Sequence, residues 1–190
     1  GVADSRLPSD LAAPLLGSVE MQGPIGWISD RAPRRALIWW GAHAATSISA
    51  VLLVLPAGSW VAVGAMFALG GTVFPLYSLA IAYTADWLRP GQLAGASAAL
   101  VRVNGVGAVL GPVLAGLLMG RVGVAAFFWV LLATHLAIVG FVGWRSLVGD
   151  ALPRDRQGRF VAFPARASAV AAGLISRRPR SGTRAERAHR

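Results

Sequence analysis

Residues 36–55 read ALIWWGAHAATSISAVLLVL, and none of these side chains carries a formal charge apart from the titratable His43. At 1.5 Å of rise per residue, an α-helix of about 20 residues crosses the hydrocarbon core of a bilayer. Pro56-Ala57-Gly58-Ser59 follows, then a second uncharged stretch from Trp60 to Ala85. Two such runs joined by a Pro/Gly turn read as antiparallel membrane-spanning helices.

Three more spans flank this pair. The first covers 8–28 and is interrupted by Asp10, Pro14, Glu20 and Pro24. The fourth covers 93–119 and holds Arg102 and Asn104, and the fifth covers 124–144 with Thr134 and His135. With the spans at 36–55 and 60–85, residues 1–144 are expected to form an all-α integral membrane bundle of about five transmembrane helices. Residues 145–190 are expected to be an arginine-rich tail, largely disordered. Within it, 160–175 is apolar, but Pro164 and Arg166 interrupt it and it is too short to cross. Composition agrees with a lipid environment: of 190 residues 55% are hydrophobic and only 14% charged, where soluble domains carry about a quarter charged residues. Mean hydropathy is +0.59.

The net charge of +10 would suggest nucleic acid as a partner in a soluble protein, so its placement decides. Eleven of the eighteen basic residues lie at or beyond Arg145, and Arg31, Arg34 and Arg35 form a second cluster. Because successive spans alternate direction, the connections at 29–35 and 86–92 and the tail share one side. The turns at 56–59 and 120–123 share the other, with Arg121 alone. An excess of arginine marks the cytoplasmic face, so the tail is expected to be cytoplasmic. Trp27, Trp39, Trp40, Tyr83, Trp87 and Trp144 fall near that interface, as an aromatic belt requires. No nucleic-acid partner is expected.

The chain has no cysteine, which removes disulfides and thiolate metal sites. It begins with Gly1 and carries no signal-peptide pattern, and is therefore expected to be a fragment. No His/Asp/Glu cluster has metal-ligand spacing, no glycine loop follows a strand, and no nucleophile stands beside a base. No enzyme activity, catalytic residue, metal or cofactor is expected.

After the first span the sequence runs Gly26-Trp27-Ile28-Ser29-Asp30-Arg31-Ala32-Pro33-Arg34-Arg35. A glycine, three residues, Asp-Arg and then a basic pair resembles the cytoplasmic signature loop of the major facilitator superfamily, found between the second and third helices of each six-helix half. Gln22-Gly23-Pro24-Ile25-Gly26 and Gly111-Pro112-Val113-Leu114-Ala115-Gly116 are also similar to segments of the eighth and eleventh helices of such permeases. The resemblance covers about 8–144 and implies that the five spans are helices eight to twelve. One departure is Pro33, where the family has glycine, so the start of the next helix is expected to be shaped differently.

What the resemblance implies is secondary active transport of a small solute across a bacterial inner membrane by alternating access, with proton coupling. The partners would be the lipid bilayer, an unknown small-molecule substrate and a missing N-terminal half. It assigns a gating latch to Gly26, Asp30, Arg31, Arg34 and Arg35. Physically, Gly26 permits close helix approach, and Asp30 at a membrane edge accepts hydrogen bonds or pairs with an arginine. The plainer reading of Arg34 and Arg35 is positive-inside anchoring. In the fourth span Gly107, Gly111 and Gly116 suit close packing, and Pro112 suits a kink. That helix would border the pathway.

Glu20 and Arg102 are ionisable groups at similar depth inside spans, each about ten residues from the arginine-rich edge. Such groups cost roughly 2.5 to 3.5 kcal/mol on insertion scales and face a cavity or a partner. Both are expected to face the central cavity, Arg102 holding an anionic substrate group and Glu20 carrying a proton, with Asn104 on the same face. A structural ion pair between packed helices is the competing reading. His43 and His135 are expected to be buried, hydrogen-bonded residues. Two alternatives to transport are a non-transporting membrane protein, including an inactive truncated remnant of a transporter, and a lipid or nucleic-acid binder acting through the tail.

Overall fold

The computed structural model describes residues 7–56, 58–89, 91–149, 157, 158 and 160. Five α-helices follow in order: α1 Leu7–Ser29, α2 Arg34–Val54, α3 Trp60–Asp86, α4 Leu93–Val122 and α5 Ala125–Val148. Helix is the only regular structure among the described residues, as the apolar runs demand. In hydrocarbon a helix satisfies its own backbone hydrogen bonds, whereas an open strand cannot. Four helices, α2 to α5, are long and apolar enough to cross a membrane. α1 has comparable length, but Pro14, Pro24 and Glu20 dilute its apolar character. The tail reading for 145–190 falls outside the described residues except at 145–149, 157, 158 and 160; of these, 145–148 extend α5 as helix.

The turns end the helices for local reasons. Ser59 caps α3 by accepting a hydrogen bond from the Ala62 N–H at 3.1 Å. Gly123 closes α4 with φ of 96°, a left-handed backbone that side chains disfavour, and its N–H reaches the Met119 carbonyl at 2.9 Å. Pro33 stands immediately before α2 at φ −60° and ψ 120°, where the missing N–H and fixed φ suit a helix start.

Helix packing runs α1 on α3, α3 on α2, α2 on α5 and α5 on α4. The closest approach is between α1 and α3. A Cβ on Gly17 would land on the Phe67 carbonyl, and one on Gly70 would land on the Pro14 backbone. On Gly71 it would stand 2.7 Å from Met21 Cγ. In lipid, where apolar burial does not drive association, such small-residue seams gain van der Waals contact by bringing backbones together. Between α2 and α3 a small core forms from Ala45, Leu52 and Leu69, with Phe128 and Leu131 of α5 against it.

α4 is different. Gly105, Gly107, Gly111 and Gly116 have nothing among the described residues within 4 Å of where a Cβ would stand. Its long apolar side chains, such as Val103 (72% exposed) and Val109 (66%), point away from the other helices. The helix runs without interruption through Pro112.

Candidate functional site

The ends of α1, α2, α3 and α5 meet on one face, and the signature residues converge there. Arg34 opens α2 yet is only 1% exposed. An arginine can be buried at such a place only if its donors find acceptors. Its Nε donates to Ser29 Oγ at 3.2 Å, and Nη1 donates to the Ala82 carbonyl at 3.4 Å and to Asp86 Oδ2 at 2.5 Å. Nη2 donates to the Gly158 carbonyl at 2.5 Å. The side chains of Arg34 and Asp86 are 1% and 4% exposed, so this ion pair is buried on both sides.

Asp86 serves two partners, because Oδ1 accepts from the Gly158 N–H at 3.0 Å while Oδ2 faces Arg34. Gly158 thus bridges the pair with its carbonyl on the cation and its N–H on the anion. Two residues on, the Phe160 N–H donates to Asp30 Oδ1 at 2.7 Å. The Phe160 ring lies against buried Gly26, where an added Cβ would stand 2.7 Å from ring Cδ1. One short piece of chain beyond α5 therefore engages Gly26, Asp30, Arg34 and Asp86 together.

Arg31 and Arg35 lie apart from that cluster. Arg31 sits over the Trp27 ring at 3.8 Å and donates to the Trp27 carbonyl at 3.1 Å. This is a local cation–π contact on an exposed helix end. Arg35 reaches across to α5 and donates to the Gly149 carbonyl at 2.9 Å. The five signature positions thus divide into Gly26, Asp30 and Arg34 at the tail contact, Arg35 at the α2–α5 contact, and Arg31 at the edge.

Asp86 and Ser29 were not singled out from the sequence as site residues. A signal existed for Asp86, since it ends an otherwise charge-free helix on the same side as Arg34. No sequence signal points to Gly158.

Glu20 and Arg102 are exposed on α1 and α4, helices that pack on α3 and α5 and not principally on each other. Among the described residues no ion pair joins them and Asn104, also exposed, has no hydrogen-bonded side chain. His43 and His135 engage their own helices, with Nδ1 at 2.9 Å from the Trp39 carbonyl and at 2.7 Å from the Leu131 carbonyl. Since a carbonyl only accepts, each ring carries its proton on Nδ1 in this contact. No group of three His, Cys, Asp or Glu residues suited to a metal occurs among the described residues.

Searches of curated proteins and of solved structures find no match. The family model described as Major Facilitator Superfamily matches residues 11–181, a range that takes in nearly all of α1 and the whole of α2 to α5. With four helices able to cross a membrane and a buried charge cluster at the signature loop, this multi-pass membrane protein belongs to the Major Facilitator Superfamily of transporters.

Proposed function

We propose that this chain supplies the C-terminal helices of a secondary active transporter that moves a small solute by alternating access, coupled to protons. The observation that carries the reading is the buried Arg34–Asp86 pair, which ties the start of α2 to the end of α3 beneath the signature loop. A charged contact at one end of a helical bundle is a two-state element: intact it holds that end shut, and broken it releases the helix ends it ties. Gly26, Asp30, Arg34 and Arg35 act as the latch in this reading, with Asp86 added to them, and Arg31 holds the loop edge. The arginine-bearing face is cytoplasmic, by the excess of arginine on that side, and the membrane is the bacterial inner membrane.

α4 borders the pathway. Its exposure along most of its length, with Arg102 and Asn104 on it, supports a second set of helices packing there, where Gly107, Gly111 and Gly116 would allow close approach and Pro112 a bend. Arg102 holds an anionic group of the solute and Glu20 carries the proton. The test is solute uptake in cells expressing the full-length gene, with Glu20→Gln and Arg102→Gln. Loss of transport at normal membrane levels supports these roles, whereas loss of the protein from the membrane assigns both residues to packing.

A further inference from the structure

Gly158 and Phe160 lie beyond α5, yet they touch the ends of three other helices: α1 through Gly26, α2 through Arg34 and α3 through Asp86, with Asp30 just past α1. The backbone of one residue meets both members of the ion pair, since the Gly158 carbonyl accepts from Arg34 Nη2 at 2.5 Å and its N–H donates to Asp86 Oδ1 at 3.0 Å. The Phe160 N–H takes a second carboxylate, Asp30 Oδ1, at 2.7 Å. Each of these bonds has an ionised partner, which makes it stronger than a neutral one.

Side-chain identity matters at one place only. A Cβ on Gly158 would stand 3.6 Å from Asp86 Oδ1, an ordinary contact, so the ion pair recognises backbone there. The Phe160 ring instead fills the space over Gly26. The nearest atoms to a Cβ at position 26, outside its own helix backbone, belong to that ring, and a side chain there would displace it.

The segment also completes the buried pair. Among the described residues the Gly158 carbonyl is the acceptor of Arg34 Nη2 and the Gly158 N–H is the donor to Asp86 Oδ1, while Gly158 itself is exposed. Without it two buried charged groups each lose a partner, and buried ions are stable only while hydrogen-bonded. Conversely, a segment held by three helix ends at once cannot keep its contacts when those ends part. Docking and opening therefore exclude each other, a coupling that acts equally in both directions.

We propose that the chain segment carrying Gly158 and Phe160 is an autoinhibitory strap: it docks on this junction, keeps the arginine-bearing face shut and must leave before that face can open. This control rests on the reading of the Arg34–Asp86 pair as a latch, and adds to it an occupant supplied by the chain itself.

The test uses the full chain purified in detergent. Hydrogen–deuterium exchange at the Gly158 and Phe160 amides reports docking, and maleimide labelling of Ala82→Cys, a buried position beside Arg34, reports opening under conditions where closing outpaces labelling. Gly158→Pro deletes the donor to Asp86, and is expected to speed labelling about tenfold. Phe160→Ala removes the ring from Gly26 and should do so by about the same factor. Gly158→Ala keeps both backbone contacts and should label at the parental rate. All three changes lie outside the helices, and circular dichroism checks that helicity is intact. Unprotected amides at 158 and 160 in the parent, parental labelling in both Gly158→Pro and Phe160→Ala, or labelling of Gly158→Ala as fast as Gly158→Pro would overturn the strap. Asp86→Asn in the same background separates the two readings: if it alone labels faster, the latch stands without a strap, whereas slow labelling in all the variants removes the latch as well.

Discussion

Replacing Asp86 with Asn removes one charge from a buried pair and keeps the side chain's shape. Arg34 would then retain Ser29 Oγ and the Ala82 and Gly158 carbonyls but no counter-ion. Breaking a buried pair by removing one partner costs about 3 to 5 kcal/mol, because a desolvated charge is left unmatched. With three neutral acceptors remaining, the lower end applies. About 3 kcal/mol corresponds to roughly a 150-fold rise in the opening equilibrium of this helix junction. The chain has no cysteine, so an engineered one is a unique label. Ala82→Cys places it beside Arg34 at a buried position, and only the Ala82 backbone is used in the site.

A water-soluble maleimide should therefore label Ala82→Cys slowly, and Ala82→Cys with Asp86→Asn on the order of 100-fold faster, provided opening and closing outpace labelling. A second variant separates lost charge balance from lost packing. Replacing both partners by apolar groups, Arg34→Met with Asp86→Leu, leaves nothing unmatched and should restore slow labelling. If Asp86→Asn labels no faster than its parent, or the apolar pair labels as fast as Asp86→Asn, the buried charge balance is not what holds the junction.

Other substitutions probe the contacts around it. The Phe160 N–H held by Asp30 belongs to the peptide bond that trypsin cleaves after Arg159, so Asp30→Ala should speed cleavage there about tenfold, read by mass spectrometry of timed digests. Gly70→Leu drives a side chain into the Pro14 backbone and should abolish cooperative thermal unfolding of the bundle, whereas Gly107→Ala, which meets nothing among the described residues, should leave the melting temperature unchanged or slightly raised. Glu20→Gln and Arg102→Gln should remove uptake without lowering membrane levels, as measured by transport and immunoblot.

Part of this molecule was legible because lipid imposes a simple rule. Charge-free runs such as 36–55 and 60–85 must be helices, since each has the length of a bilayer and no water to satisfy an open backbone. The signature loop was legible for the same reason: Asp30, Arg34 and Arg35 stand out against an apolar background. Small-residue packing was harder to place. Glycines at 107, 111 and 116 look like a seam by spacing, but the seam among the described helices is made by Gly17, Gly70 and Gly71, which the sequence does not distinguish from them. A glycine becomes a contact only when another backbone is laid against it.

Helix identity, the shared side of the arginine-bearing connections and the family follow from the order of residues alone, because they depend on local composition and chain direction. Which charges pair does not. Arg34 and Asp86 are 52 positions apart, and Gly158 is 124 beyond Arg34; their meeting depends on how α2 and α3 cross and where the chain returns after α5. That decision belongs to packing, which selects one partner for a buried guanidinium from several carboxylates at the same membrane edge.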